Sequence, residues 1–405
     1  TESLKPLFDS DAHFKEWSEE KATNKAKRAP IESLHRQPAY LGIDSGSTTT
    51  KIVLTDSAGR LAYEFYSNNN SDPIGCVRSG LEELLRQSQA KGIEIWLAGS
   101  CVTGYGEDLI RVAFNLDHGI VETLAHYRAA VEFDPEVSFV LDIGGQDMKA
   151  IFIRNGCVDK IEINEACSSG CGSFIETFAN SAGLGVAEFA AEACRAQYPA
   201  DLGTRCTVFM NSKVKQSFRE GATAGDISAG LAYSVVSNCL YKVLKISNTE
   251  TLGRNIVAQG GTFKNPAVLR ALELTLGANV TTPDISELMG AYGSALTAIE
   301  RSGRRPDLVP LERIASCGDF STKISECTGC ENACRITEMR FAEGSVFVTG
   351  NRCEKVFSNN GTKTAKGENF AKFKYKLLFN RNTKSLTGET KLKLGIPRVL
   401  NVYEN

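Results

Sequence analysis

Apolar runs separated by polar, glycine-bearing turns divide the chain into short strands and amphipathic helices. Short apolar runs bounded by turn residues are typical of buried strands, and they occur at residues 39–44, 51–56, 93–98, 137–143, 148–154 and 256–259. Apolar positions at helical spacing predict helices at residues 74–90, 117–132, 174–181, 227–246 and 285–300. This mixture predicts an α/β fold.

One pattern occurs twice along the chain. A strand, a tight glycine turn and a second strand cover residues 39–56, and the same order returns at residues 137–154. Because a repeated supersecondary unit points to internal duplication, we expect a fold built from two related lobes.

The flanks differ from this central part. Residues 1–37 are rich in Lys and Glu and predict a polar lead-in or linker. Residues 302–311 hold two prolines and a basic cluster, which predicts a linker. The Lys-rich stretch 362–393 carries interleaved aromatic residues, which we interpret as a solvated strand or connector rather than a surface that contacts RNA or a nucleotide carrier.

The ends of the chain suggest a longer polypeptide. The chain does not begin with Met, and its last residues, 396–405, continue an apolar pattern that resembles the first strand of a further domain. We therefore expect a piece of a larger protein; an ordinary C-terminus with a short strand is the alternative.

Composition narrows the class of protein. A chain of 405 residues with 42% hydrophobic residues accommodates two or three domains. The net charge of −2 gives no electrostatic argument for nucleic acid or an acidic membrane. No apolar run reaches the roughly 18 residues of a spanning helix, and the start lacks a signal-peptide core. We expect a cytoplasmic protein whose 13 cysteines, an odd number, are reduced thiols or metal ligands.

Both glycine turns carry groups suited to phosphate. A glycine-bearing turn offers backbone N–H groups to an anion, and a carboxylate at its mouth can hold hydrated Mg²⁺. The carboxylates are Asp44 and Asp142, and Gln146 is placed to orient an attacking water. The other residues expected to bind nucleotide are Ser45, Gly46, Ser47, Thr48, Thr49, Lys51, Gly144, Gly145, Asp147, Gln259, Gly260, Gly261 and Thr262.

The ordered set of motifs resembles the actin-like ATPases, which have a ribonuclease H-like fold. Within them, the segments at residues 42–51, 103–106, 142–147, 167–174, 206–209 and 260–261 look like the ATP-dependent activators of 2-hydroxyacyl-CoA dehydratases and the ATPase subunits of benzoyl-CoA reductases. The resemblance implies an ATPase domain at residues 38–303. Lobe I would comprise about 38–140 plus 288–303, and lobe II about 141–287.

The resemblance also implies a metal cluster. Cys167 and Cys206 fall on the positions that ligate a 4Fe–4S cluster shared across a dimer in that family. Four thiolates suit such a cluster, so two from each of two subunits suffice. The alternative is that both are small buried core residues. Cys171, four residues after Cys167, is a further possible ligand.

A second group of cysteines follows in residues 304–395, which predict a small cysteine-rich metal-binding region. Cys327, Cys330, Cys334 and Cys353 have spacing that suits zinc or a second iron–sulfur cluster, with Cys317 as a possible substitute. The remaining cysteines and the four histidines form no cluster, and we assign them no role.

Three functions remain open from sequence. The first is an ATP-dependent one-electron donor. The resemblance implies three partners for it: an acyl-CoA dehydratase or reductase as acceptor, a second actin-like ATPase domain from a homodimer or fused copy, and an upstream ferredoxin- or flavodoxin-like donor. The second is a small-molecule kinase with Asp142 or Asp147 as base. The third is a nucleotide-sensing scaffold with a zinc-stapled tail.

Overall fold

The structure is a computed structural model that describes residues 4–164, 170–246, 248–303, 307–359 and 370–379. The chain divides into a large unit, Thr1–Phe320 with Arg340–Ser345, and a small unit, Ser321–Met339 with Val346–Asn405. Among the described helices, none combines the length and the apolar content needed to cross a membrane.

The first sheet of the large unit defines lobe I. Its strands are β1 (Pro38–Ser45), β2 (Thr49–Asp56), β3 (Leu61–Asn68), β4 (Trp96–Thr103), β5 (His118–Gly119) and β10 (Val309–Pro310). They lie in the order β10-β4-β1-β2-β3, with β5 beside β4. β1 pairs antiparallel with β2 and parallel with β4.

The second sheet defines lobe II and repeats this arrangement. Its strands are β6 (Phe139–Ile143), β7 (Met148–Arg154), β8 (Cys157–Asn164) and β9 (Ile256–Gln259), in the order β8-β7-β6-β9. β6 pairs antiparallel with β7 and parallel with β9. The repeated hairpin in the sequence therefore corresponds to a repeated sheet topology.

Helices pack on both sheets. The described helices are α1 (Asp11–Lys21), α2 (Pro73–Ala90), α3 (Glu107–Ala113), α4 (Glu122–Phe133), α5 (Gly172–Ser181), α6 (Val186–Arg195), α7 (Thr207–Arg219), α8 (Ala224–Ser237), α9 (Pro266–Leu276), α10 (Met289–Arg301), α11 (Leu311–Ala315) and α12 (Phe370–Phe379). Short 3₁₀ turns cover Ile31–Leu34, Thr249–Leu252, Gly261–Lys264 and Ser286–Leu288, and a π-helical turn, Asn238–Val243, continues α8.

α10 fixes the centre of lobe I. It crosses β1 at Gly42, where a Cβ atom would lie 2.1 Å from the carbonyl oxygen of Ala291. Only glycine permits this approach of helix and strand backbones. α4 packs against the same helix, with Ala129 in a buried cluster that includes Tyr292. This packing holds α4 close to the ends of both central strands.

The N-terminal segment differs from the predicted lead-in or linker. Phe8 and Trp17 are buried in the core of lobe II. The backbone then reaches lobe I, where Arg28 pairs with Leu61 of β3. Residues 4–37 are thus part of the large unit, because their few apolar side chains are spaced to face the folded lobes.

Several predicted bounds also change. β4 runs through Gly99 and Ser100 to Thr103, since both residues are buried in the sheet. The helix expected from residue 117 begins at Glu122, because His118–Gly119 pairs with β4. The segment predicted as a linker holds β10 and α11, and Leu311 is fully buried. The large unit therefore continues to Phe320 instead of ending at residue 303.

A three-stranded sheet forms most of the described small unit, although the first residue of β11 and the last two of β12 are assigned to the large unit. The strands of this sheet are β11 (Phe320–Glu326), β12 (Arg335–Phe341) and β13 (Val346–Thr349), in that order. Of the Lys-rich stretch, only α12 is described. The predicted further domain at residues 396–405 lies outside the described residues.

Candidate functional site

A cleft of about 540 Å³ lies between the two lobes, at the β1–β2 and β6–β7 turns. Most of the residues predicted to bind nucleotide line it: Asp44, Gly46, Ser47, Thr48, Thr49, Lys51, Asp142, Gly144, Gly145, Gln146, Asp147, Gly260, Gly261 and Thr262. Ser45 and Gln259 do not line it; both are completely buried. The fold thus brings together two turns that are almost a hundred residues apart in sequence.

The first turn carries a buried carboxylate beside a lysine. Gly46 donates its N–H to the carbonyl of Thr49 at 2.9 Å, which closes the turn. Lys51 Nζ lies 3.0 Å from Asp44 Oδ2, while Asp44 Oδ1 is buried without a hydrogen-bond partner. Burial acts to lower the pKa of Lys51, but the Asp44 charge outweighs it and the pKa lies above its ordinary value. The orphaned oxygen suits a bound dication.

The second turn repeats this pair. Asp142 faces Lys149 across β6 and β7, in the register in which Asp44 faces Lys51. Lys149 Nζ lies 4.0 Å from Asp142 Oδ2 and 3.0 Å from Glu122 Oε1, and it also contacts Asp147. These three carboxylates raise the pKa of Lys149 although burial opposes them. Lys149 was not among the predicted site residues, but its spacing from Asp142 repeats that of Lys51 from Asp44.

A buried histidine lies under the second pair. His126 Nδ1 lies 2.8 Å from Gln259 Nε2 and 3.8 Å from Asp142 Oδ1, and its Nε2 lies 3.7 Å from Glu122 Oε1. Burial acts to lower the pKa of His126, but Asp142 and Glu122 raise it above its ordinary value. Gln259 Oε1 has no hydrogen-bond partner, so turning the amide over would offer an acceptor to protonated Nδ1.

The charges of this cluster depend on one another. Burial raises the pKa of Asp142, while His126 and Lys149 oppose that rise. Burial also acts to raise the pKa of Glu122, but His126 and Lys149 lower it to about 2. Neither His126 nor Glu122 was predicted, because both reach the site only through the packing of α4.

Backbone contacts fix the second turn against lobe II. Gly172 and Ser173, at the start of α5, donate their N–H groups to the carbonyls of Gly144 and Gly145 at 3.0 and 2.9 Å. Thr262 Oγ1 donates to Gly144 O at 2.9 Å. Gly260 has φ +94, and a Cβ there would lie 2.3 Å from Ile143 O. A side chain at residue 260 would therefore force β9 away from the turn.

The arrangement suits a polyphosphate with a hard dication. Two lysines, Lys51 and Lys149, bring positive charge from the two lobes, and glycine turns leave backbone close to the cleft. Asp44 and Asp142 bring oxygen ligands of the kind Mg²⁺ prefers. The exposed side chain of Gln146 lines the same cleft and can reach a water there. This combination supports phosphoryl chemistry by positioning and charge.

The cysteines predicted to bind a cluster differ in their solvent exposure and in their position in the fold. Cys206 is exposed and is the N-cap residue of α7, a helix whose first turn has no side-chain cap. Cys167 lies outside the described residues. Cys171 is completely buried in extended backbone just before α5, beside Cys239 in the lobe II core. It therefore does not present its thiol to a partner subunit as an exposed ligand would.

The second cysteine group lines one small cavity of about 40 Å³. Its walls include Cys327, Cys330, Cys334 and Cys353. Within the described part of the chain, no three His, Cys, Asp or Glu side chains are already arranged to hold a metal ion. Cys317, the possible substitute, is buried in the large unit and is not among the residues that line this cavity.

Comparison with known proteins gives consistent matches to one family. Residues 41–298 match the profile of the BadF/BadG/BcrA/BcrD ATPase family. The (R)-2-hydroxyglutaryl-CoA dehydratase activating ATPase of Acidaminococcus fermentans is 30% identical over 264 residues, 65% of this chain and 98% of the relative. The activator of lactoyl-CoA dehydratase from Anaerotignum propionicum is 29% identical over 272 residues, 65% of this chain and 99% of the relative.

Solved structures agree with these sequence matches. The crystal structure of component A of the Acidaminococcus fermentans dehydratase covers 66% of this chain and 99% of its own, with a TM-score of 0.58 and 28% identity. The Clostridium difficile activator of 2-hydroxyisocaproyl-CoA dehydratase, with bound ADPNP, covers 65% of this chain and 95% of its own, with a TM-score of 0.55 and 29% identity. The predicted actin-like α/β fold is confirmed for the matched part of the chain.

Proposed function

Since the chain belongs to the BadF/BadG/BcrA/BcrD ATPase family, we propose that it is an ATP-dependent one-electron donor that activates a 2-hydroxyacyl-CoA dehydratase or a related iron–sulfur reductase. The observation that carries this proposal is the interlobe cleft, where the two Asp–Lys pairs meet. Relatives that match almost over their full length are activators of such dehydratases.

The cleft would bind ATP with Mg²⁺. Asp44 is the proposed metal-organising carboxylate because its Oδ1 is buried without a partner. Lys51 and Lys149 would offset phosphate charge from opposite lobes, and Gln146 would orient the attacking water. Different contacts with ATP and ADP would favour different lobe positions, which couples hydrolysis to movement.

Cys167 and Cys206 would hold a 4Fe–4S cluster, two thiolates from each of two subunits. When bound, the cluster supplies the transferable electron. Cys206 fits this role because its exposed thiol lies at the amino end of α7, where unpaired N–H groups favour a thiolate. Val208 and Phe209 beside it are 75% and 65% exposed, as expected for a surface that a second subunit covers.

The partners follow from this assignment. The proposal requires a second ATPase domain of the same kind to complete the ligand set, an acyl-CoA dehydratase or reductase as electron acceptor, and a ferredoxin- or flavodoxin-like protein as upstream donor. Cytoplasmic location fits all three, because a reduced cluster and free thiols need a reducing compartment.

Metal analysis of anaerobically purified protein tests the ligand assignment. We expect about four irons and four sulfides per two chains. Cys206→Ser should remove them, whereas Cys157→Ser, which changes an exposed cysteine of β8, should not. A cluster that survives both Cys206→Ser and Cys167→Ser would refute the assignment. Sugar-dependent ADP release without iron would favour a kinase instead.

A further inference from the structure

Two cysteine-bearing segments meet at one end of the small sheet. Cys327, Cys330 and Cys334 lie in the connection between β11 and β12, and Cys353 follows β13. Because residues 342–345 form a short connection between β12 and β13, the end of β13 lies beside the start of β12. The fold therefore brings Cys353 to the three cysteines that precede it.

Contacts already hold these two segments together. Cys327 donates its N–H to Cys334 O at 2.8 Å, which closes the first segment into a loop. Lys355 Nζ donates to Gly329 O at 3.2 Å, and a Cβ at Gly329 would lie 2.4 Å from Val356 Cγ2. The second segment thus lies directly over the first.

The space between the segments suits a single ion. All four cysteines line a cavity of about 40 Å³, and its other walls include Ile336, Val356 and Phe357. A volume of that order holds one to a few water-sized particles. A mononuclear metal therefore fits this space without enlarging it.

The described residues of the small unit bury few apolar side chains. Among the described residues assigned to the small unit, only Ile336 and Val348 are buried apolar side chains; Phe341, at the end of β12, is also buried but belongs to the large unit. A unit of this size with so little buried apolar surface needs a disulfide or metal staple. The four cysteines form no disulfide in the structure.

We propose that Cys327, Cys330, Cys334 and Cys353 bind one structural zinc ion as a four-thiolate site. Zinc prefers tetrahedral thiolate ligands, and the Cys-x-x-Cys part of the first loop has the spacing of such sites. Binding releases the thiol protons and involves no change of oxidation state. In the described part of the chain the four thiols do not yet surround a common point, so metal binding requires their side chains to move. This site is independent of the ATPase function proposed above.

Metal analysis of the full chain tests the site. Under reducing conditions, after dialysis against a weak chelator, we expect about one zinc per chain. The double variant Cys334→Ser with Cys353→Ser should lose it, whereas the exposed-cysteine control Cys157→Ser should keep it. Zinc missing from the wild type, or retained by the double variant, would overturn the proposal. So would iron and sulfide that persist in Cys206→Ser and disappear in the double variant.

A second measurement covers the case in which the double variant folds poorly. ADP binding by calorimetry reports on the large unit and should be unchanged in that variant. In the wild type, a strong zinc chelator should increase proteolytic cleavage within residues 321–359 at least several-fold, because the metal contributes folding free energy. Unchanged cleavage after chelation would show that no metal stabilises the small unit.

Discussion

At the residue scale, the two hairpins place the same pair of charges on opposite sides of the cleft. Asp44 with Lys51, and Asp142 with Lys149, are cross-strand partners in matching registers. The second pair has additional partners, His126 and Glu122, contributed by α4. The pairs therefore share a register, and the second pair has more close charged neighbours, while the charge of Asp142 also acts on Lys51.

Substitutions of Gln146 and of Asp44 should have different effects on ATP hydrolysis and ATP binding. Gln146→Ala removes one positioning contact to the transition state and should slow ATP hydrolysis roughly a hundred- to a thousand-fold while ATP affinity changes little. Asp44→Ala should slow ATP hydrolysis and also weaken ATP binding, since it removes the metal-organising charge. Steady-state hydrolysis and calorimetric titration measure the two effects, with Gln89→Ala, at an exposed position of α2, as control. Equal small effects of Gln146→Ala and Asp44→Ala would place the γ-phosphate elsewhere.

The Glu122 carboxylate should make the free energy of unfolding depend on pH in the acid range. Its pKa of about 2 in the folded protein lies below the ordinary value of 4.5, so its contribution is fully present above pH 4.5 and is lost as pH falls toward 2. The difference in free energy of unfolding between wild type and Glu122→Gln should shrink across that window. Urea titrations at several pH values measure it.

The matched control for this comparison is Glu82→Gln, which changes an exposed glutamate of α2. The free energy of unfolding of Glu82→Gln should stay close to that of wild type, and the small difference should not change over the same pH range. If the difference between wild type and Glu122→Gln were equally independent of pH, Glu122 would not be held ionised by His126 and Lys149.

Sequence motifs located the glycine turns and their carboxylates because local chemistry defines them. Lys149 also left a signal, since the spacing from Asp142 repeats that from Asp44 to Lys51. His126 and Glu122 left none: they lie on α4, and only the packing of that helix against α10 brings them to the cleft. Residues that reach a site through tertiary packing carry no local pattern to read.

At the element scale, the N-terminal helix α1 serves as part of the lobe II surface. Trp17 packs against Phe8 with ring centroids 5.2 Å apart, and its Nε1 donates to Glu273 Oε2 at 2.7 Å. Lys21 pairs with the same buried Glu273 at 2.5 Å. This segment precedes residue 41, where the family match begins. It is therefore an addition to the domain that the family model covers.

Removal of the Trp17 side chain should destabilise the large unit. Trp17→Ala loses the buried ring and its hydrogen bond, which should cost about 3–5 kcal/mol in free energy of unfolding. Trp17→Phe keeps most of the packing and should cost less. We expect a loss of about 1–3 kcal/mol, because the Glu273 carboxylate loses one hydrogen-bond donor. Chemical denaturation measures both. A loss below about 0.5 kcal/mol for Trp17→Ala would mean that α1 does not stabilise the lobe.

Strongly apolar strands were predictable as elements, while their ends were less so. β9 matches its prediction, because an apolar run ends directly at a glycine pair. β4 extends past Gly99 and Ser100, which resemble a turn in sequence but are buried between β1 and β5 in the sheet. α1 was missed as a packed element because its mostly polar surface hides the few residues that contact lobe II.

At the scale of the whole molecule, the repeated sheets form two lobes with a nucleotide-sized cleft between them. Cys206 lies at the amino end of α7 in lobe II, within exposed apolar surface. A change in lobe position on hydrolysis would therefore be transmitted to the helix that carries a proposed cluster ligand.

The central claim is that nucleotide in the cleft controls a cluster shared by two chains. Electron paramagnetic resonance of the dithionite-reduced protein, with Mg²⁺ and either ADP or ADPNP, tests it most directly. We predict a signal of about one spin per two chains whose midpoint potential differs between the two nucleotides. In Asp44→Ala the signal should remain and the nucleotide dependence should disappear. A reduced protein without an iron signal, or a signal indifferent to nucleotide in the wild type, would contradict the account.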